Sequence, residues 1–111
     1  MLAITKDAIH LTRGDNADII VTIRDLNGDI YELQTGDKLV FTMKINCNTE
    51  DVIIHKDITS DSIISILHND TKDLPYGTYK FDVQLTTAGG YVYTVIDPHD
   101  FVIEKEVNFN V

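Results

Sequence analysis

The run Leu74-Pro75-Tyr76-Gly77-Thr78-Tyr79, continuing into Lys80-Phe81-Asp82-Val83-Gln84-Leu85, restricts the fold more than any other stretch of this chain. Pro75 and Gly77 break whatever regular structure precedes them. Beyond them Tyr79, Phe81, Val83 and Leu85 alternate with Lys80, Asp82, Gln84 and Thr86. That is a period of two, the pattern of a half-buried strand. A tyrosine just past such a corner sends its ring into the core and its hydroxyl back to upstream backbone. Tyr79 is therefore expected to pin a corner formed by Leu74, Pro75 and Gly77.

Turn signals recur along the rest of the chain: Arg13-Gly14-Asp15, Asn27-Gly28, Gly36-Asp37, residues 46–51, residues 69–77, Gly89-Gly90 and Asp97-Pro98. Spacing of roughly ten residues between turns marks an all-β sandwich or barrel. Between the turns lie β-branched and aromatic runs. Ile9 and Leu11 alternate with His10 and Thr12; Ala17, Ile19, Val21 and Ile23 form one face of a second strand, with Ile20 an apolar exception on the other. Asn27-Gly28 suits a type I′ hairpin leading into Ile30-Tyr31-Glu32-Leu33. Leu39, Phe41, Met43 and Ile45 form the next inner face. Residues 52–56 and 62–67 are two more strands, with Ile63-Ile64 open to either register. Residues 69–74 read as one helical turn with a capping residue at its start, ended by Pro75. A hairpin follows, with strands at 78–87 and 91–96. Phe101, Ile103 and Val107 close the sheet. The expected fold class is an all-β, immunoglobulin-like Greek-key sandwich of about seven to nine strands, with a closed barrel as the alternative.

A length of 111 residues suits a single domain, 1–111. Its 18 acidic and 9 basic residues give a formal charge of −9. Such a surface repels phosphate backbones and anionic membranes, so neither nucleic acid nor membrane is expected as a partner. The N-terminus shows no basic region followed by an apolar run, so no signal peptide is expected. A single cysteine, Cys47, excludes an intrachain disulfide. A reactive thiol needs a cationic or helix-terminal setting, and in sequence only Lys44 stands close.

The candidate motifs favour structure over chemistry. Asp25-Leu26-Asn27-Gly28-Asp29 opens like a calcium loop, but a glycine is required at the sixth position and a glutamate at the twelfth; this chain has Gly28 at the fourth and Gly36 at the twelfth. His10, His55, His68 and His99 form no close pair, so no zinc site is expected. Arg13-Gly14-Asp15 spells an adhesion tripeptide, yet it is also what a turn before an apolar strand requires. Asn69-Asp70-Thr71 is a glycosylation sequon and, equally, a helix start. No nucleophile elbow or phosphate-cradling loop occurs. No catalytic residue, metal or cofactor is expected. Tyr76, Tyr91 and Tyr93 remain as an interface, or as an aromatic platform for carbohydrate.

The order of these features resembles a known group. Leu11-Thr12-Arg13-Gly14-Asp15, Tyr31-Glu32-Leu33, Phe41-Thr42-Met43-Lys44, the corner at 73–79, the hairpin Gln84-Leu85-Thr86-Thr87-Ala88-Gly89-Gly90 and Tyr93-Thr94-Val95-Ile96 carry the likeness. They are similar to the N-terminal domain of phage baseplate upper proteins, found in prophages and tailed phages of Gram-positive bacteria. The resemblance implies an immunoglobulin-like sandwich, a non-catalytic virion role in tail, baseplate or fibre adaptor, and protein partners or self-association. It implies synthesis in the bacterial host cytoplasm and a final place in the virion. Those proteins continue into a receptor-binding-protein carrier region, which this chain is expected to lack. The terminal run Val107-Asn108-Phe109-Asn110-Val111 alternates apolar and polar residues. Val107, Phe109 and Val111 are thus expected to cap the sandwich or to be donated to a neighbour.

Overall fold

The computed structural model describes residues 2–5 and 8–107, with side chains from residue 8 onward. Eight strands and one short helix follow in chain order: β1 Leu2–Thr5, β2 Ala8–Thr12, β3 Ala17–Ile20, β4 Lys38–Lys44, β5 Val52–Asp57, β6 Ile63–Ile66, α1 His68–Thr71, β7 Gly77–Thr86 and β8 Val92–Glu104. Six strands form one sheet in the order β1-β2-β8-β7-β4-β5, and β3 pairs with β6 in a second. The large sheet is mixed: β2 runs parallel to β8, while its other neighbours pair antiparallel. Among the described residues no helix is long and apolar enough to cross a membrane.

The period-two patterns become the inner faces of these sheets. In β4 Leu39, Phe41 and Met43 are buried, and in β7 Tyr79, Phe81, Val83 and Leu85 are buried. Ile19, Ile64 and Ile66 of the small sheet join them in one hydrophobic cluster. Removing these faces from water is what holds the two sheets together. At the centre Phe41, Phe81 and Phe101 pack with ring centroids 5.8 to 6.5 Å apart, and Phe81 meets Phe101 nearly edge-on at 87°. The β3–β6 register places Ile19 opposite Ile64, which turns Ile64 inward and leaves Ile63 on the outer side with Ile20.

The corner forms as the sequence requires. The Tyr79 hydroxyl donates to the Pro75 carbonyl at 2.7 Å, and its ring is buried.

Several local expectations are corrected. Asn27-Gly28 is not a type I′ turn, because Asn27 keeps a negative φ while Gly28 takes +84°. The Gly28 amide bonds to the Asp25 carbonyl, and the Asp25 amide to the Asp29 carbonyl. This is a type I turn with a bulge at the glycine. Residues 30–33 form no strand; only an isolated bridge joins Ile30 to Arg24. Ile45 lies beyond the end of β4 and is exposed.

The helical turn begins one residue earlier than expected and is shorter. Its N-cap is Leu67, and Asn69 lies inside the helix. The Leu67 amide is satisfied by the Asp70 carboxylate at 2.7 Å, and the His68 amide by the distant Asn16 side chain at 2.6 Å.

Asp97-Pro98 does not end a strand. β8 continues through it, and register shifts beside Val83 leave β8 longer than the stretch of β7 it faces. A bulge leaves a residue without a ladder partner, so a proline is tolerated there.

Candidate interaction surface

The hairpin joining β7 to β8 ends in a turn built like that at residues 25–29. The Gly90 amide donates to the Thr87 carbonyl at 2.9 Å, the Thr87 amide to the Tyr91 carbonyl at 2.8 Å, and Gly90 takes φ +87°. The Thr87 hydroxyl also accepts the Tyr91 amide at 3.2 Å. Strand alternation then sends Tyr91 and Tyr93 to one side of the hairpin and Val92 to the other. Tyr93 stands directly opposite Leu85, so it faces the inner side of the sheet. The core does not reach this far along β8: Tyr91, Val92 and Tyr93 are 69, 59 and 53% exposed.

A polar knot buttresses the tip. The Tyr31 hydroxyl donates to Asp37 Oδ2 at 2.5 Å, and the Gln34 amide donates to the same oxygen at 2.9 Å. These bonds, with that of Tyr31 first, hold the Asp37 carboxyl below its ordinary 3.8, and the Ala88 backbone amide adds to the effect. The Tyr31 phenol is correspondingly raised, by Asp37 first and then by desolvation. Gly36 packs on the hairpin: a Cβ there would stand 2.7 Å from Cβ of Ala88. The turn containing Asp37 and the tip at Ala88 are thus fitted to each other.

Tyr76 belongs to a different place. It sits at the corner, where the Arg13 guanidinium lies 4.1 Å from its ring centroid. Arg13 also donates to Glu106 Oε1 at 2.8 and 3.0 Å and to the Leu74 carbonyl at 3.2 Å. Ten residues of β7 separate this corner from the hairpin tip, roughly 30 Å along an extended chain. The three tyrosines therefore form no common platform. Tyr91 and Tyr93 remain together; Tyr76 serves the corner. Arg13 and Gly14 are also spoken for, since the Gly14 amide donates to the buried Thr71 hydroxyl at 2.8 Å. The adhesion tripeptide is a structural turn. Val107 is 92% exposed; Phe109 and Val111 lie outside the described residues.

Two grooves lie among the described residues. One, of about 170 Å³, lies on the outer face of the large sheet beside the β8 bulge, lined by Thr42, Lys44, Cys47, Lys80, Asp82 and Pro98 among others. The fold brings Lys80 as well as Lys44 to Cys47, which sequence separation concealed. Lys80 pairs with Asp100 and is raised by it, whereas burial raises the Asp82 carboxyl against the smaller pull of Lys44. The other groove, of about 430 Å³, runs between residues 21–23, 30–33 and 59–62. Among the described residues no group of three or more His, Cys, Asp or Glu side chains is placed to hold a metal ion. The Asp25 carboxylate accepts the amides of Asn27 and Asp29 within its own turn.

Sequence reasoning missed Asp37 as more than a turn residue. It also missed the Arg13–Glu106 clamp, whose partners are 93 positions apart. The one local signal for the knot was Tyr31 six residues before an aspartate. Comparison with protein-family models, curated proteins and solved structures finds no match for this chain.

Proposed function

We propose that this chain is a non-catalytic assembly module: an immunoglobulin-like Greek-key sandwich serving as a structural part of a phage or prophage particle, in a tail, baseplate or fibre adaptor. Strand order supports the fold in this reading. In immunoglobulin-like sandwiches strands B and E share one sheet, and C, F and G lie side by side in the other. With β3 and β6 taken as B and E, the strands β4, β7 and β8 fall in the C, F and G places. The Tyr79–Pro75 bond has the geometry of the tyrosine corner at the entry of strand F. The virion assignment rests on the sequence resemblance, whose strongest parts are that corner and the Gln84-Leu85-Thr86-Thr87 hairpin.

The observation that carries an assembly role is the hairpin tip. Residues 83–96 hold no charged side chain in a chain of net charge −9. At its end Tyr91 and Tyr93 are exposed side by side on one face, with Val92 exposed on the other. Such an apolar, uncharged patch on a polar protein marks a surface that meets another protein. The test is mass spectrometry of particles purified after induction of the strain that encodes the chain. The chain is expected in the particle fraction, and Tyr91→Ser with Tyr93→Ser is expected to reduce its incorporation at least tenfold. Particles that lack the wild-type chain overturn the virion role.

The shared side of Tyr91 and Tyr93 favours one second reading, a small carbohydrate-stacking site. A glycan array tests it: binding lost in Tyr91→Ala and Tyr93→Ala supports a sugar ligand, and a blank array removes it.

A further inference from the structure

We propose that the open edge of β8 at residues 92–96 pairs antiparallel with the same edge of a second copy of this chain, across a two-fold axis. The proposal rests on the assembly reading above and names its partner.

The backbone supplies the first argument. β8 extends over 13 residues. On one side it pairs with β7; on the other β2 covers only Asp100 to Glu104. Among the described residues no strand covers the second edge of residues 92–97. Its outward amides and carbonyls are a template for another strand. The side chains supply the second. Tyr91-Val92-Tyr93-Thr94-Val95-Ile96 is all aromatic, β-branched or both in character, without proline or charge. Natural edges are usually guarded by charge. Asp18 on β3 and Lys56 and Asp57 on β5 are such guards; residues 92–96 carry none, and the first charge on this edge is Asp97.

Electrostatics restricts where two copies can meet. Two copies carrying −9 each repel at neutral pH and approach closely only where local charge is absent. Residues 83–96 are such a place. A strand edge set antiparallel to itself is self-complementary under two-fold symmetry, and the pairing uses up the edge, so assembly closes at two. With the axis at Thr94, Tyr93 meets Val95 and Val92 meets Ile96 of the second copy as cross-strand pairs. Pro98 has no amide hydrogen to donate, which limits the ladder at that end.

The test is site-directed cross-linking of the full chain in a Cys47→Ser background, which removes the exposed native thiol. Single cysteines are placed at Val92, Tyr93 and Thr94, and at Thr78 near the other end of the hairpin. Mild oxidation is expected to convert most of the protein to disulfide dimer at one of the three tip positions, with at least tenfold less at Thr78. Adding Thr94→Lys should abolish that dimer while the circular dichroism spectrum stays unchanged. Equal linking at tip and control overturns the proposal. So does absence of linking at all three tip positions. If no dimer forms yet the chain is found in particles, the edge serves a different protein and only this inference falls.

Discussion

Tyr79 places its ring inside the core and its hydroxyl on the Pro75 carbonyl, so one side chain joins the corner to the sheet. Tyr79→Phe keeps the ring and strands the carbonyl. It is expected to cost about 1 kcal/mol in urea unfolding. Two aspartates should respond to pH in opposite senses. Asp37 is held below 3.8 by Tyr31, Gln34 and Ala88. Its contribution is complete above that ordinary value and is lost as pH falls toward the lowered folded value. Asp37→Asn should therefore lower the thermal midpoint at pH 7, with a difference that narrows in acid. Asp82 is raised by burial. The folded state there holds its proton longer than the unfolded chain does, so stability declines as pH rises from 3.8 through the folded value. Asp82→Asn should raise the midpoint at pH 7 and leave it unchanged well below 3.8. Thermal melts of both variants between pH 2.5 and 7, values chosen to bracket ordinary carboxylate titration, check the two signs.

Among the elements, the turn at residues 34–37 and the β7–β8 tip are coupled by close approach. Gly36 has φ +90°, and a methyl group there would collide with Ala88. Gly36→Ala is expected to destabilise by on the order of 1–3 kcal/mol through backbone strain, with the clash in addition. Ala88→Gly should recover the clash and leave the strain, a partial rescue readable in a double-mutant cycle. The same elements show what the sequence could tell. The corner and the faces of β4 and β7 were legible because their period-two pattern reports local geometry directly. Asp97-Pro98 read as a turn because a proline normally ends a strand; only the pairing partner reveals a bulge. Residues 30–33 carried strand-like residues, but strand formation there needed a continuous neighbour, and the fold supplies one bridge. The helix start at Leu67 was hidden because its first amides are satisfied by Asp70 and by Asn16, a residue far away in sequence. The site was half legible: Tyr91 and Tyr93 do sit together, while Tyr76 was separated from them by the length of β7.

At the scale of the molecule, two sheets share one core, and the two ends of the large sheet have different duties. The corner end is clamped: Arg13 ties β2 to Glu106 and to the Leu74 carbonyl. Truncation after Lys105 removes Glu106 and leaves a half-buried guanidinium without its carboxylate. That variant should melt below one truncated after Val107, measured by calorimetry on both. The hairpin end is uncharged and apolar on a chain of −9, and under the proposed assembly role the molecule meets its neighbour there. Screening by salt shortens the range of the repulsion between copies, so added salt should strengthen the association. Light-scattering mass over a range of protein concentrations, at low and high salt, tests this most directly. The mass is expected to rise from the 12.5 kDa of one chain toward twice that value, at lower protein concentration in high salt. With Tyr91→Ser and Tyr93→Ser the mass should stay at one chain throughout. A wild-type mass fixed at 12.5 kDa under every condition, or growth that the two substitutions leave unchanged, would contradict it.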